Sequence, residues 1–422
     1  MNIIGLKYKL VLVLFLSIPF TSSPYPIDGY DKTGIKRLQR LKLIIDGTIK
    51  DVQPISGALR SSASIKLNLT GEKGDSLIQL PKPDAKFQKA ITGLFPNLDE
   101  SYSIAVVDIT KGKPIRYAKL NEHRQYQPGS VGKIAVVTGF FRELQRLYPT
   151  SFEKRIELLK SKTVRAGKWA LYDEHTVPFF YPDEQKFFKR TVQADDVFTL
   201  YEWIDHMLSV SNNGAASVVW REAILMNVFG TNYPALTEEQ AEAYFKATNK
   251  ATLSEKAIAV VNDPLRDLGI EKEDWRLGTF FTKGASSYIP GQGGSTGSPY
   301  GLITYLIALE RGKVIDEKSS LEIKKLLYMT DRRIRYASSP ALINAAVYFK
   351  SGSLYKCKPE EGYECGKYKG NVDNYMNSVA IVEHPDGTTY LVALMSNVLK
   401  KNSGVDHQTL ATFIDRIIKK KL

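Results

Sequence analysis

Strand signals stand toward the two ends of this chain with a long helical stretch between them, and that spacing restricts the fold more than any other feature. Toward the first end, Tyr102–Thr110 and Ile115–Leu120 flank Lys111-Gly-Lys-Pro114, which predicts strand, turn, strand. From about Val131 to Leu327 helical periodicity dominates, as in Leu302–Leu309 behind Pro299 at a helix start. Strands return at Ala345–Phe349, Ser378–Glu383 and Thr388–Met395, the last two joined by the turn His384-Pro-Asp-Gly387. An amphipathic helix over about Gln408–Ile418 closes the chain. Segments so far apart share one sheet only if the helical stretch folds away as a separate lobe. The pattern therefore predicts an α/β (α+β) fold, an antiparallel sheet built from both chain ends with a helical lobe inserted at about 131–330. A ligand cleft belongs at the lobe boundary.

The chain opens with Lys7 and Lys9, an apolar run Leu10–Phe20 and the small residues Thr21-Ser22-Ser23. That order reads as a cleavable export signal over residues 1–23, because the run is broken by Pro19 and falls well short of the ~20 residues a membrane span needs. No cysteine follows it, so a lipoprotein anchor is excluded. The expected location is outside the cytoplasm, periplasmic or secreted. There Cys357 and Cys365, the two cysteines of the chain, could oxidise to a short-loop disulfide, the alternative being two free surface thiols. Residues 24–83 read as an N-terminal extension, with a basic stretch at Ile35–Leu43 and strand-like alternation at Ala63–Leu69. The main domain is expected over 84–422, opening on a short helix at Ala85–Leu94.

Lys and Arg number 58 against 45 Asp and Glu, which favours anionic surroundings such as a cell-envelope surface. The basic residues are scattered without an aromatic-basic reading motif, so specific nucleic-acid binding is not expected. Two cysteines, and five histidines without ligand spacing, leave neither a metal site nor a histidine-based triad, and no cofactor motif survives inspection. Gly129-Ser-Val-Gly-Lys133 has the wrong glycine spacing for a phosphate loop, and Ile134 stands where a magnesium-binding hydroxyl is required. Gly293-Gly-Ser-Thr-Gly297 matches a nucleophile elbow but follows a loop instead of a strand.

A lysine-based serine site remains. Ser-x-x-Lys occurs at Ser130, Ser151 and Ser353, and only Ser130 lies between a Gly129 loop and an apolar helical run, Ile134–Phe141. At a helix start, backbone amides stabilise charge on an attacking oxygen, and Lys133 three residues on shares its face. A lysine deprotonated by burial can then take the serine proton. The bland alternative is a capping serine beside a solvated lysine. Downstream come Ser211-Asn-Asn213 and, at the end of a strand, Lys350-Ser-Gly352.

In this order the three motifs resemble the serine β-lactamase and penicillin-binding protein superfamily, of class A β-lactamase type, over about Ala85–Leu422. The resemblance implies that Ser130 forms an acyl-enzyme with Lys133 as base, and that Ser211 relays a proton to the leaving nitrogen. It implies that Asn213 binds the substrate's side-chain amide and that Lys350 and Ser351 hold its carboxylate. Gly352 would leave room for a substrate backbone along the strand edge, and the amides of Ser130 and Ser353 would form the oxyanion hole. Ser351 stands where threonine is commoner. A second departure concerns the deacylating glutamate of class A enzymes, which precedes a helix start resembled here by Ser295–Tyr300. No Asp or Glu occurs from Arg276 to Leu309, and the nearest upstream are Glu271, Glu273 and Asp274. The expected function is thus an exported serine hydrolase acylated by β-lactams or D-alanyl cell-wall amides and slow to deacylate. The competing readings are an efficient class A-type β-lactamase and a catalytically idle cell-wall-binding module.

Overall fold

The computed structural model describes residues 28–50 and 60–420; the expected export signal lies outside the described residues. Five antiparallel strands form the sheet, in the spatial order Arg116–Leu120, Ser103–Asp108, Thr389–Asn397, Asp373–Glu383, Ala346–Lys356. The first two and the last three come from opposite ends of the sequence, as the strand spacing predicts. Ser103–Asp108 is buried along its whole length because both sheet faces are covered. Ile104 and Val106 face a core completed by Phe87, Leu410 and Ile414, while Ala105 and Val107 face the helical lobe. The strand period of two thus distributes one segment between two cores.

The helix Ala85–Thr92 starts where the Asp84 side chain accepts from the Phe87 amide, and the closing helix spans Gly404–Lys419. In the lobe, Leu200–Leu208 opens on a reciprocal capping box between Thr199 and Glu202. Pro299–Glu310 begins where Ser298 caps Gly301. These are local signals the chain carries in its composition.

Two segments depart from expectation. Ala63–Leu69 is not a strand. A short 3-10 turn, Ser62–Ser64, leads into a loop whose Asn68 and Leu69 amides donate to the Glu310 carboxylate and carbonyl. Its apolar residues Ile65 and Leu69 are buried without any strand partner, so the alternation reflects burial against helices. The lobe is not wholly helical, since Thr176–Tyr181 and Lys186–Thr191 pair as a hairpin with Phe179 stacked on Phe188. Those aromatic runs carry β preference of their own, which the helical periodicity on either side masks. The described part of the N-terminal extension, 24–83, packs onto the lobe: Lys36–Ile45 is a helix whose Arg37 makes a buried ion pair with Asp205, and Ile35 and Leu38 join the lobe core.

Cys357 and Cys365 are joined as a disulfide. They tie the loop that links the edge strand Ala346–Lys356 to Asp373–Glu383.

Candidate active site

A cleft of about 550 Å³ opens between the edge strand and the lobe, and Ser130, Asn213 and Ser353 line it. Ser130 sits in a 3-10 turn, Gly129–Gly132, that runs directly into the helix Lys133–Leu147. The hydroxyl is therefore at the positive end of a helix and is not the cap of it. Asn377 anchors the approach, its Nδ2 donating to the carbonyls of Gln127 (2.8 Å) and Pro128 (3.1 Å). The edge strand runs against this turn backbone to backbone. A Cβ on Gly352 would lie 2.1 Å from the Pro128 carbonyl oxygen and 3.1 Å from the Ser130 amide nitrogen. One on Gly129 would lie 2.7 Å from the Ser353 amide nitrogen, and Gly129 has φ +53°. The missing side chain of Gly352 therefore makes room for the Ser130 turn.

Lys133 is fully buried, and its Nζ is 3.0 Å from Ser130 Oγ. Its shorter contacts go to the Ser211 carbonyl (2.6 Å) and Asn213 Oδ1 (2.7 Å). Both are oxygens that can only accept, so they claim two N–H groups. Burial, with Arg332 adding to it and Asp173 opposing, depresses the ammonium to about 7. A neutral amine with two N–H groups so committed has its lone pair left for the Ser130 hydroxyl. Ser211 is held at φ +63°, a left-handed conformation that costs a serine about 1–3 kcal/mol and is retained only where surroundings impose it. There its carbonyl meets Lys133, while its Oγ accepts from Lys350 at 2.8 Å and lies 3.3 Å from Lys133. The Ser211 hydroxyl thus bridges two buried lysines. Lys350 is also driven well below its ordinary value, by burial first and then by Lys133, Arg332 and Arg335.

Ser130, Lys133, Ser211, Asn213, Lys350, Ser351, Gly352 and Ser353, far apart in sequence, meet around this cleft, whereas Ser151 caps a helix elsewhere. Several residues were not legible beforehand. Asp173 accepts from the Asn213 amide (2.6 Å), from Asn213 Nδ2 (3.1 Å) and from His175, whose Nδ1 is 2.7 Å away. Burial raises the Asp173 carboxyl, but those hydrogen bonds and the Lys133 charge outweigh it and hold it below the carboxylate range. Because Nδ2 is given to Asp173, the Asn213 amide must turn Oδ1 toward Lys133. Nothing in the spacing of Asp173 announces this, since the contact spans 40 residues across a loop. Arg332 and Arg335 had a signal, the basic run Arg332-Arg-Ile-Arg335 shortly before the Lys350 strand. Arg335 Nη1 donates to the Gly352 carbonyl at 2.8 Å.

No carboxylate approaches from the loop before Pro299. Leu277 lines the cleft there, and its Cδ2 would lie 2.6 Å from a Cβ on Gly132. Asn262 clamps Leu277 through both its amide (2.8 Å) and its carbonyl (2.9 Å). Glu271 and Glu273 are exposed away from the cleft, and Asp274 accepts from the Ser298 hydroxyl at a helix start. Among the described residues lining the cleft, Glu174 is the one carboxylate.

The model of the β-lactamase enzyme family matches residues 86–419. The chain belongs to that family. It is accordingly a serine hydrolase of the β-lactamase and penicillin-binding protein type. Among solved structures it resembles a mutant of PBP-A in acyl-enzyme complex with penicillin G, at 14% identity and TM-score 0.51, over 80% of this chain and 98% of that one. It also resembles a class A β-lactamase representative from Bacteroides cellulosilyticus (16%, TM-score 0.50, 80% and 98%). TLA-1 extended-spectrum β-lactamase is similar in the same way (14%, TM-score 0.51, 80% and 100%). At these identities the likeness is one of fold. No curated protein matches.

Proposed function

We propose that this member of the family is an exported, penicillin-binding, DD-peptidase-like acyl hydrolase that acts on β-lactams or D-alanyl cell-wall amides through Ser130. The observation that carries the reading is the buried Lys133 amine, whose Nζ lies 3.0 Å from Ser130 Oγ while its shorter contacts go to two oxygens that can only accept, which leaves a neutral amine its lone pair for the Ser130 proton. Lys133 takes the Ser130 proton as Oγ attacks the amide carbonyl. Ser211, bridged between Lys133 and Lys350, passes a proton to the leaving nitrogen as its bond to carbon breaks. The amides of Ser130 and Ser353 receive the developing oxyanion. Lys350 and Ser351 hold the substrate carboxylate, and the second N–H of Asn213 Nδ2 is available to a substrate carbonyl.

The loop before Pro299 puts Leu277 beside Gly132 and the Phe281 ring 5.2 Å from Lys133 Nζ, and neither side chain can take a proton from water. That supports slow deacylation, hence a penicillin-binding role over rapid β-lactam turnover. The apolar leader at 10–20 supports export, and the excess of Lys and Arg suits an anionic envelope. Intact-mass analysis during exposure to penicillin tests the proposal. A single adduct on Ser130, absent in Ser130→Ala and persisting for minutes, is expected. Multiple rapid turnovers would favour the β-lactamase reading, and an adduct surviving Ser130→Ala would overturn the assignment of the nucleophile.

A further inference from the structure

Positive charge gathers along one side of the cleft in excess of what one substrate carboxylate can offset. Lys350 and Arg335 are buried there, with the Arg335 guanidinium 5.0 Å from the centre of the Tyr368 ring. Arg332, half-buried, lines the cleft and acts on both Lys133 and Lys350. Lys367 lines it too, carried on the loop that the disulfide ties back, 5.5 Å over the same Tyr368 ring. Neither Arg332 nor Lys367 has a carboxylate within ion-pair distance among the described residues.

The nearby acids are engaged otherwise. Asp331 pairs with Lys189 at 2.6 Å, Asp173 is held by His175 and Asn213, and Glu360 pairs with Lys400. Glu174, on the loop of Asp173, is the exception: it is exposed and makes no ion pair among the described residues. Like charges packed at a cavity wall repel one another, and an anion bound between them relieves that cost. A guanidinium facing a cavity with its fork free matches a carboxylate.

We propose that the preferred substrate carries a second carboxylate, held by Arg332 and Lys367 beside the one held at Lys350 and Ser351. This rests on the acyl-enzyme reading and adds the substrate class to it. The second acid belongs to the leaving portion of the substrate, which bears the first carboxylate. The tyrosines Tyr355 and Tyr368, whose rings meet edge to face at 6.0 Å, wall that end of the cleft.

Two N-acylglycyl thioesters of one shape test it, one with mercaptosuccinate as leaving group and one with its more distant carboxyl amidated. In each, Ser130 Oγ forms a bond to the thioester carbonyl carbon, the C–S bond breaks, and the thiol leaves with the serine proton. Released thiol gives kcat/KM for both. The dianion is expected to lead by roughly tenfold or more, the worth of a charge-assisted hydrogen bond. In the double variant Arg332→Gln/Lys367→Gln that ratio should collapse toward unity. Equal kcat/KM for the two thioesters in the unaltered protein, or a preference that survives the double substitution, overturns the inference and leaves the acyl-enzyme reading standing. Failure of both thioesters to acylate Ser130 brings down that reading and this inference with it.

Discussion

Titrating the acylation rate against pH tests the base at its source. Lys133 falls from an ordinary 10.5 to about 7 through burial. At pH 7 about half of it is then neutral, against about 3 in 10,000 for an unshifted lysine, a gain of roughly a thousandfold in available base. The second-order rate of penicillin acylation should rise tenfold per pH unit at the acid end and level off above about pH 7. Two substitutions move the limb in opposite directions. Arg332 depresses Lys133 and Asp173 raises it, so Arg332→Gln shifts the limb to higher pH and Asp173→Asn to lower pH. The same burial links to stability. Unfolding restores Lys133 to 10.5, so between about pH 7 and 10.5 the unfolded chain holds more protons and stability rises with pH across that window. Below it Lys133 is protonated in both states, and the cost of burying the charged ammonium is fully present, about 5 kcal/mol. Lys133→Met should therefore lose acylation by orders of magnitude without losing thermal stability. A rate flat from about pH 5 to 9, or both variants shifting the limb the same way, would refute the assignment of Lys133 as the base.

Gly352→Ala sets a methyl group 2.1 Å from the Pro128 carbonyl, so the Ser130 turn must move; a loss of about 1–3 kcal/mol in denaturant midpoints is expected together with slowed acylation. Asp173→Asn frees the Asn213 amide to flip, and acylation should drop by roughly tenfold or more, read as adduct formation at fixed penicillin, with the fold retained by circular dichroism. Leu277→Glu places a carboxylate at the cleft wall beside Gly132; the penicillin adduct should clear roughly a hundredfold faster than in Leu277→Gln, by time-resolved intact mass, as general base catalysis is worth about that much or more.

The parts of this protein readable in its sequence are those that depend on near neighbours. The strand periods, the caps at Asp84, Thr199 and Ser298, and the pairing of a hydroxyl with a lysine three residues on are local, because a backbone period or a helix face decides them. The order of the three motifs marked the family by resemblance, and it named the residues that gather at the cleft. Tertiary structure decided the rest. Whether Lys133 is a base depends on burial and on which oxygens claim its N–H groups, and those oxygens belong to Ser211 and Asn213, about 80 residues away. That a side chain at Gly352 would strike the Ser130 turn is visible only in the sheet's approach to that turn. Alternation at Ala63–Leu69 promised a strand but found helices to pack against and no edge to pair with. Asp173 and Leu277 carry no motif and Arg332 only a basic run, and their roles arise where loops from distant parts of the chain meet over one cavity, since charge and hydrogen bonding act through space while a sequence orders residues only along the chain.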